Sequence, residues 1–288
     1  MRALVTGAGG QLGRALQASA PAGVDLVALG HGDLDIGDAD AVAQVIAASQ
    51  PALILNAAAY TAVDKAESEA DAAHRINAQG PGHLAAAAQA VGARLVHVST
   101  DFVFDGTAGQ PYAPDHPVAP LGVYGASKRA GENAVRAAAP DALIVRTAWV
   151  YGVTGHNFVR TMLRLMAERD DVRVVADQIG TPTFAGSLAE ALWDLAAAGA
   201  QGTHHWTDSG AASWYDFAVA IQEEALALGL LDRQVPVLPI ATNAYPTPAR
   251  RPSYSVLDKG SAIALLGRTA PHWRVNLRRM LGEIKANG

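Results

Sequence analysis

The chain has 288 residues, half of them hydrophobic, with 27 acidic and 22 basic side chains and a formal net charge of −5. That balance belongs to a compact globular protein, and the absence of any Lys/Arg stripe argues against nucleic acid or an anionic membrane as partner. With no cysteine there are no disulfides, thiolate nucleophiles or Cys-ligated metals; the N-terminal run Met1-Arg2-Ala3-Leu4-Val5-Thr6-Gly7 is too short for a signal-peptide core, and no stretch approaches about 18 apolar residues, so a cytoplasmic location is expected.

In chain order, short aliphatic runs at residues 2–6, 24–29, 52–56, 94–99 and 142–147 read as strands. Amphipathic, Ala-rich segments lie between them at 11–18, 39–48, 64–76 with 81–91, and 124–138. Strand alternating with helix predicts an α/β fold, a Rossmann-like doubly wound parallel sheet with its site at the carboxyl ends of the strands. After residue 150 the rhythm loosens: helical pieces at 157–168, 184–197 and 213–228 are separated by Pro-containing stretches. Residues 1–150 are therefore expected to form a dinucleotide-binding core. Residues 151–288 should add remaining core elements and a smaller mixed α/β substrate lobe that is not an independent domain.

The first strand runs into Gly7-Ala8-Gly9-Gly10-Gln11-Leu12-Gly13, where a helix begins. Glycines at such a turn let the backbone approach a pyrophosphate, which then rests on the N–H groups and positive dipole of the helix start. Gly7, Gly10, Gln11, Leu12 and Gly13 are accordingly candidate cofactor residues. The second strand ends Leu29-Gly30-His31 without the carboxylate that usually grips an NAD ribose, so NADH and NADPH both stay open. Leu34-Asp35-Ile36 follows, with Asp35 placed to accept from the adenine amino group and Ile36 beside it; an N-cap or solvated carboxylate is the plainer alternative. At the third strand's end, Ala58, Ala59, Tyr60 and Thr61 follow Asn56-Ala57, and the small side chains leave room for a ribose and nicotinamide.

Tyr124-Gly125-Ala126-Ser127-Lys128 places a phenol and an ammonium four apart, on one helix face. A phenol titrates near 10, so Lys128 is expected to favour the phenolate; a shift of about 3 units needs roughly 4 kcal/mol. The plainer alternative is a half-buried Tyr beside a surface Lys paired with Glu132 at i+4. Val98-Ser99-Thr100-Asp101 closes the fourth strand, and Thr100 offers a second donor to a substrate carbonyl, with an ordinary helix or turn cap as the equally open alternative. Asn77, mid-helix, would hold backbone or water near Lys128 if it faces the core, with a tolerated exposed Asn as the equally open alternative.

The GxxGxxG spacing is the form typical of extended short-chain dehydrogenases. Nearly end to end the chain resembles the dTDP-4-dehydrorhamnose reductase family. The more particular matches are Thr61-Ala62-Val63-Asp64-Lys65-Ala66-Glu67 and Ser99-Thr100-Asp101-Phe102-Val103-Phe104-Asp105-Gly106. Arg146-Thr147-Ala148-Trp149, Asn157-Phe158-Val159, Asp177-Gln178-Ile179-Gly180-Thr181-Pro182-Thr183 and Arg251-Pro252 extend them. The resemblance implies hydride transfer from NADPH or NADH to C4 of a 4-keto nucleotide sugar, with Tyr124 giving the proton, Lys128 binding the cofactor ribose and tuning Tyr124, and Thr100 bonding the carbonyl. It further implies that Asp101 and Trp149 contact the sugar nucleotide; the second half's own residues read as a lobe in which Trp149, Asn157 and Arg251 close over a nucleotide diphosphate, with Arg251 forked on its phosphate oxygens, and packing or a surface ion pair is the equally open alternative.

Phe102 stands where the family often has Tyr. Ala15 stands where some members carry a glutamate that bridges a dimer through magnesium, so no metal is expected and the state is monomer or homodimer. Two rivals share these motifs. An epimerase or dehydratase of the same superfamily shares the loop and the Tyr/Lys pair but must hold and regenerate its cofactor, and the dehydratase is disfavoured because Asp101 is not followed by Glu. A non-catalytic subunit, of the kind that accompanies methionine adenosyltransferase, is disfavoured by the joint presence of Thr100, Tyr124 and Lys128.

Overall fold

The computed structural model describes residues 1–287. The first half builds β1 (Arg2–Thr6), α1 (Gln11–Ala18), β2 (Asp25–Leu29), α2 (Ala39–Ser49), β3 (Leu53–Asn56), α3 (Val63–Ala66), α4 (Ala70–His74), α5 (Gly80–Val91), β4 (Arg94–Thr100), α6 (Val123–Ala138) and β5 (Leu143–Thr147). The second half adds β6 (Val150–Tyr151), α7 (Phe158–Glu168), β7 (Val172–Val175), β8 (Ile179–Gly180), β9 (Thr183–Phe184) and α8 (Ala185–Ala197). It closes with β10 (Gly202–His205), β11 (Ala212–Ser213), α9 (Trp214–Leu228), β12 (Val237–Ile240), α10 (Gly260–Leu266) and α11 (Trp273–Asn287).

Six strands form one parallel sheet in the order β10-β5-β4-β3-β1-β2. Because side chains alternate along a strand, β1 divides its residues between two cores. Ala3 and Val5 pack with Leu16 of α1 and Leu188, Leu192 and Trp193 of α8, while Leu4 faces Val42 and Ile46 of α2, Leu84 of α5 and Val135 of α6. Helices thus cover both faces, as an all-parallel sheet requires. A third core joins α7, α9 and α11 through Met162, Phe217, Ile221 and Leu281.

The five anticipated strands are present, and the sheet gains a sixth, Gly202–His205, that the sequence did not announce. Its His204-His205 pair carries no aliphatic signature, and pairing with β5 supplies what propensity lacks. The helix anticipated over 64–76 is broken into α3, α4 and a π-helical turn at Arg75–Gln79, which runs into α5 with Pro81 in its first turn. Asn77 lies buried in that turn, a kind of irregularity that concentrates at functional sites.

Candidate active site

The strand order reverses between β1 and β3, so the loops leaving them diverge and open a crevice at the sheet's carboxyl edge. A cavity of about 1020 Å³ occupies it, running from the glycine turn to the start of α6 and on to Trp149 and Trp214. Thr6 Oγ1 donates to Asn56 Oδ1 at 2.7 Å, and Asn56 Nδ2 meets His97 Nδ1 at 3.0 Å, which ties β1, β3 and β4 together beneath the floor.

The glycine turn is shaped for close approach. Gly7 has φ +68°, and a Cβ there would lie 2.6 Å from the Ala58 nitrogen; at Gly13 it would lie 2.1 Å from the Gly7 carbonyl oxygen. Gly13 therefore supports the turn from below, while Gly7, Gly10, Gln11 and Leu12 line the cavity. Gly10 caps α1, whose first amides have no intrahelical partner. Ala58, Ala59, Tyr60 and Thr61 form the opposite wall. A narrow cleft walled by glycine and alanine and headed by free helix amides fits a dinucleotide pyrophosphate.

Asp35 and Ile36 lie at the far end of the same cavity, with His31 and Arg75. Both Asp35 oxygens are already engaged, by Arg75 Nη1 at 2.7 Å and the Gly37 N–H at 2.9 Å, and the Arg75 bond holds the carboxyl below its usual range. Arg75 went unread in the sequence because it arrives from the π turn, 40 positions away. Asn77 takes the backbone option: its Oδ1 accepts from Tyr60 N at 2.8 Å, and its Nδ2 donates to Tyr60 O and Ser127 Oγ, each at 3.0 Å. The segment before Thr61 is thereby fixed to α6, one residue before Lys128.

Thr100, Asp101, Tyr124 and Lys128 share one wall of the cavity. Lys128 Nζ, on a buried side chain, donates to the Val98 carbonyl at 2.7 Å, and burial takes the ammonium down to about 8, opposed by Glu132. The expected lowering of Tyr124 is reversed: burial pushes the phenol up to about 12, tempered by Thr100 and reinforced by the Asp101 charge. Lys128 directs a proton at a carbonyl, and the buried Tyr124 phenol is neutral at pH 7. Thr100 Oγ1 spends its own proton on Asp101 Oδ1 at 3.0 Å, and burial raises that carboxyl to about 6 against bonds from Ser255 and Thr100. Nor does Glu132 pair with Lys128 on the helix surface; it is wholly buried against Arg146.

The second-lobe assignments fare differently. Trp149 lines the cavity with φ +47°, rare for a bulky residue, and its indole is stacked on Trp214 at 3.5 Å with planes 6° apart. A Cβ on Gly180 would come within 2.6 Å of the same indole, so the Trp149 ring is packed against both Trp214 and the Gly180 backbone where it lines the cavity. Trp214 was missed, since a Trp opening an amphipathic helix looks like core. Asn157, anticipated as a substrate contact, does not line the cavity: it is buried, caps α7 by accepting from Arg160 N, and donates to Gln11 Oε1 at 2.9 Å and Gly152 O at 2.8 Å. Arg251 lines the cavity, but its fork is taken by Asp64, at 3.0 and 2.8 Å. Among the described residues no group of three or more His, Asp or Glu side chains is placed to hold a metal ion, and no helix is long and apolar enough to cross a membrane.

Residues 1–286 match the model of the RmlD substrate binding domain family. The chain belongs to this family. The dTDP-4-dehydrorhamnose reductase of Mycobacterium tuberculosis is 48% identical over 288 residues, covering 97% of this chain and 92% of that one. A probable dTDP-4,6-dihydroxy-2-methyloxan-3-one 4-ketoreductase of Streptomyces antibioticus is 43% identical, covering 99% and 96%. The crystal structure of a dTDP-4-dehydrorhamnose reductase from Bacillus anthracis, in complex with NADP, superposes with a TM-score of 0.93 at 41% identity, covering 98% of this chain and 99% of that one. The RmlD family to which the chain belongs is one of NAD(P)H-dependent oxidoreductases.

Proposed function

We propose that this chain uses NADPH or NADH to reduce the C4 keto group of dTDP-4-dehydro-6-deoxy-L-mannose to dTDP-L-rhamnose, with Tyr124 as proton donor. The observation that carries this reading is the common wall of Thr100, Tyr124 and Lys128, in a cavity whose other end is the glycine turn. The family membership and the NADP-bound relative support the same reaction. Gly7, Gly10, Gln11 and Leu12 would hold the pyrophosphate, Asp35 and Ile36 the adenosine end, and Ala58 to Thr61 the ribose and nicotinamide side, within residues 1–150. When bound, the dihydronicotinamide supplies the hydride that reduces the ketone.

The protein's own part is the proton. A reductase needs its donor protonated before turnover, and a phenol pushed up to about 12 meets that need at neutral pH. As negative charge develops on the C4 oxygen, Tyr124 gives its hydroxyl proton to it, forming the alcohol and leaving a phenolate. The Lys128 ammonium, charged below about 8, stabilises that phenolate one helical turn away. Thr100 donates a second hydrogen bond to the substrate oxygen once its proton leaves Asp101, an exchange eased whenever the Asp101 carboxyl is itself protonated. Phe102, packed edge-on against the Tyr124 ring at 5.5 Å, gives that corner apolar surface that disfavours water.

The test is nicotinamide absorbance at fixed enzyme with the dTDP-6-deoxy-4-keto sugar, offering NADPH and NADH separately and identifying the product. Stoichiometric oxidation with formation of dTDP-L-rhamnose supports the proposal; no oxidation with either cofactor overturns it. The ketone acted on by the Streptomyces antibioticus relative is the rival substrate, and a higher kcat/KM for it would replace the sugar while keeping the chemistry.

A further inference from the structure

Glu132 lies on α6 four residues beyond Lys128 and eight beyond Tyr124, so the three share a helix face. Its buried carboxylate accepts from Ser99 Oγ at 2.7 Å, from Arg146 Nε and Nη2 at 2.8 Å each, from Arg136 Nη2 at 3.0 Å and from Arg129 Nη1 at 3.3 Å. Ser99 and Arg146 are register partners on β4 and β5, and each immediately precedes a residue of the cavity wall, Thr100 and Thr147. Arg146 is as deeply buried; it donates to the Pro114 carbonyl at 3.0 Å and lies 5.1 Å from the Phe104 ring centre.

Stability is a poor explanation for such a pair, because desolvation offsets much of the attraction and apolar residues of similar volume often serve as well. What a forked guanidinium on a carboxylate supplies is direction. We propose that Glu132 is a positioning residue for the reduction: through Arg146 and Ser99 it sets α6 against the ends of β4 and β5, and so holds Tyr124 and Lys128 at a fixed reach from Thr100. The proposal rests on the roles given above to those three residues.

Charge gives it a second, separable consequence. Lys128 interacts with Glu132 on its own helix, where Tyr124 lies one turn before it, and with His97 on β4, while Asp101 acts on Tyr124. Glu132 faces Arg129 and Arg136 on α6, Ser99 and His97 on β4, and Arg146 on β5, behind which His205 of β10 stands at 3.4 Å. Burial holds His97 far below its usual range and His205 at about 3, so both are neutral, and Glu132 is the negative charge that opposes the loss of the Lys128 proton.

The experiment uses three variants of the full chain, each checked by thermal melting and NADPH titration. The double variant Glu132→Gln/Arg146→Met removes the ion pair at nearly constant volume; Ser99→Ala removes one tether and no charge; Tyr124→Phe tests the underlying reading. In the double variant kcat falls about a hundredfold while the KM values move little, as expected for misplaced reacting groups, and the alkaline limb of kcat shifts to lower pH. In Ser99→Ala kcat falls about tenfold with that limb unmoved. A folded double variant with kcat within about twofold of wild type and an unshifted limb overturns the proposal, as does an unimpaired Ser99→Ala if the double variant does not fold. Full activity in Tyr124→Phe instead removes the assignment of the proton donor, and the positioning role with it.

Discussion

Gln11 and Asn157, 146 positions apart, meet through Gln11 Oε1 and Asn157 Nδ2 at 2.9 Å, so the first turn of the helix behind the glycine loop is bonded to the residue that starts α7. Gln11 Nε2 also donates to the His156 carbonyl, at 3.4 Å. The segment 154–156 on the cavity rim is held against the glycine turn by this clasp.

If the clasp couples the two halves of the cavity, Gln11→Ala and Asn157→Ala are non-additive in stability by about 1 kcal/mol in a double-mutant cycle. Asn157→Ala loses about 1 kcal/mol more through the missing cap on Arg160 N. Steady-state kinetics of both should show KM changes with kcat nearly intact; a hundredfold fall in kcat for Asn157→Ala would return that side chain to the reacting sugar.

Tyr124→Phe removes one oxygen. The turnover number is expected to fall by about 10² to 10⁴ fold, the usual scale for a lost general acid, while NADPH affinity measured by fluorescence titration stays as in wild type. Parallel losses in both would mean that the ring serves cofactor binding and not proton transfer.

Lys128 gives a pH dependence with a definite sign. Burial brings the group from 10.5 to about 8 against the pull of Glu132, so its charge is present at pH 7 and lost as pH rises through about 8, and kcat should decline across that interval. Between about 8 and 10.5 the unfolded chain binds the proton that the native chain releases, so folding stability should rise with pH there. Urea melts of wild type and Lys128→Met test this: the rise belongs to the wild type alone.

Gly13→Ala should be the most damaging change in the glycine turn. Its Cβ would sit 2.1 Å from a backbone oxygen, and backbone cannot swing aside as a flexible side chain can. A loss of about 3 kcal/mol or more is expected, read by chemical denaturation, together with loss of cofactor binding. An alanine variant of wild-type stability would show that α1 can move off the turn at little cost.

The motifs were legible where chemistry is local. A glycine turn behind a first strand, or a Tyr and a Lys four apart, has its geometry written by the chain's own periodicity, and all of these residues are found around one cavity except Gly13, which props the turn from beneath. Asn157 and Arg251 are harder to place from sequence because a lone polar side chain gives no sign of its partner. Their partners Gln11 and Asp64 lie 146 and 187 positions away. Arg75, Trp214 and the sixth strand escaped notice for the same reason, since each acquires its role from a neighbour distant in sequence.

Periodicity and turn chemistry alone determined the parallel α/β architecture, the phosphate-shaped turn and the helix face bearing Tyr124 and Lys128, because a few successive residues suffice to express them. Tertiary structure decided which charges that face meets. Burial, a non-local quantity, lifts the Tyr124 phenol, lowers the Lys128 ammonium, and commits Glu132 to Arg146 and not to the surface.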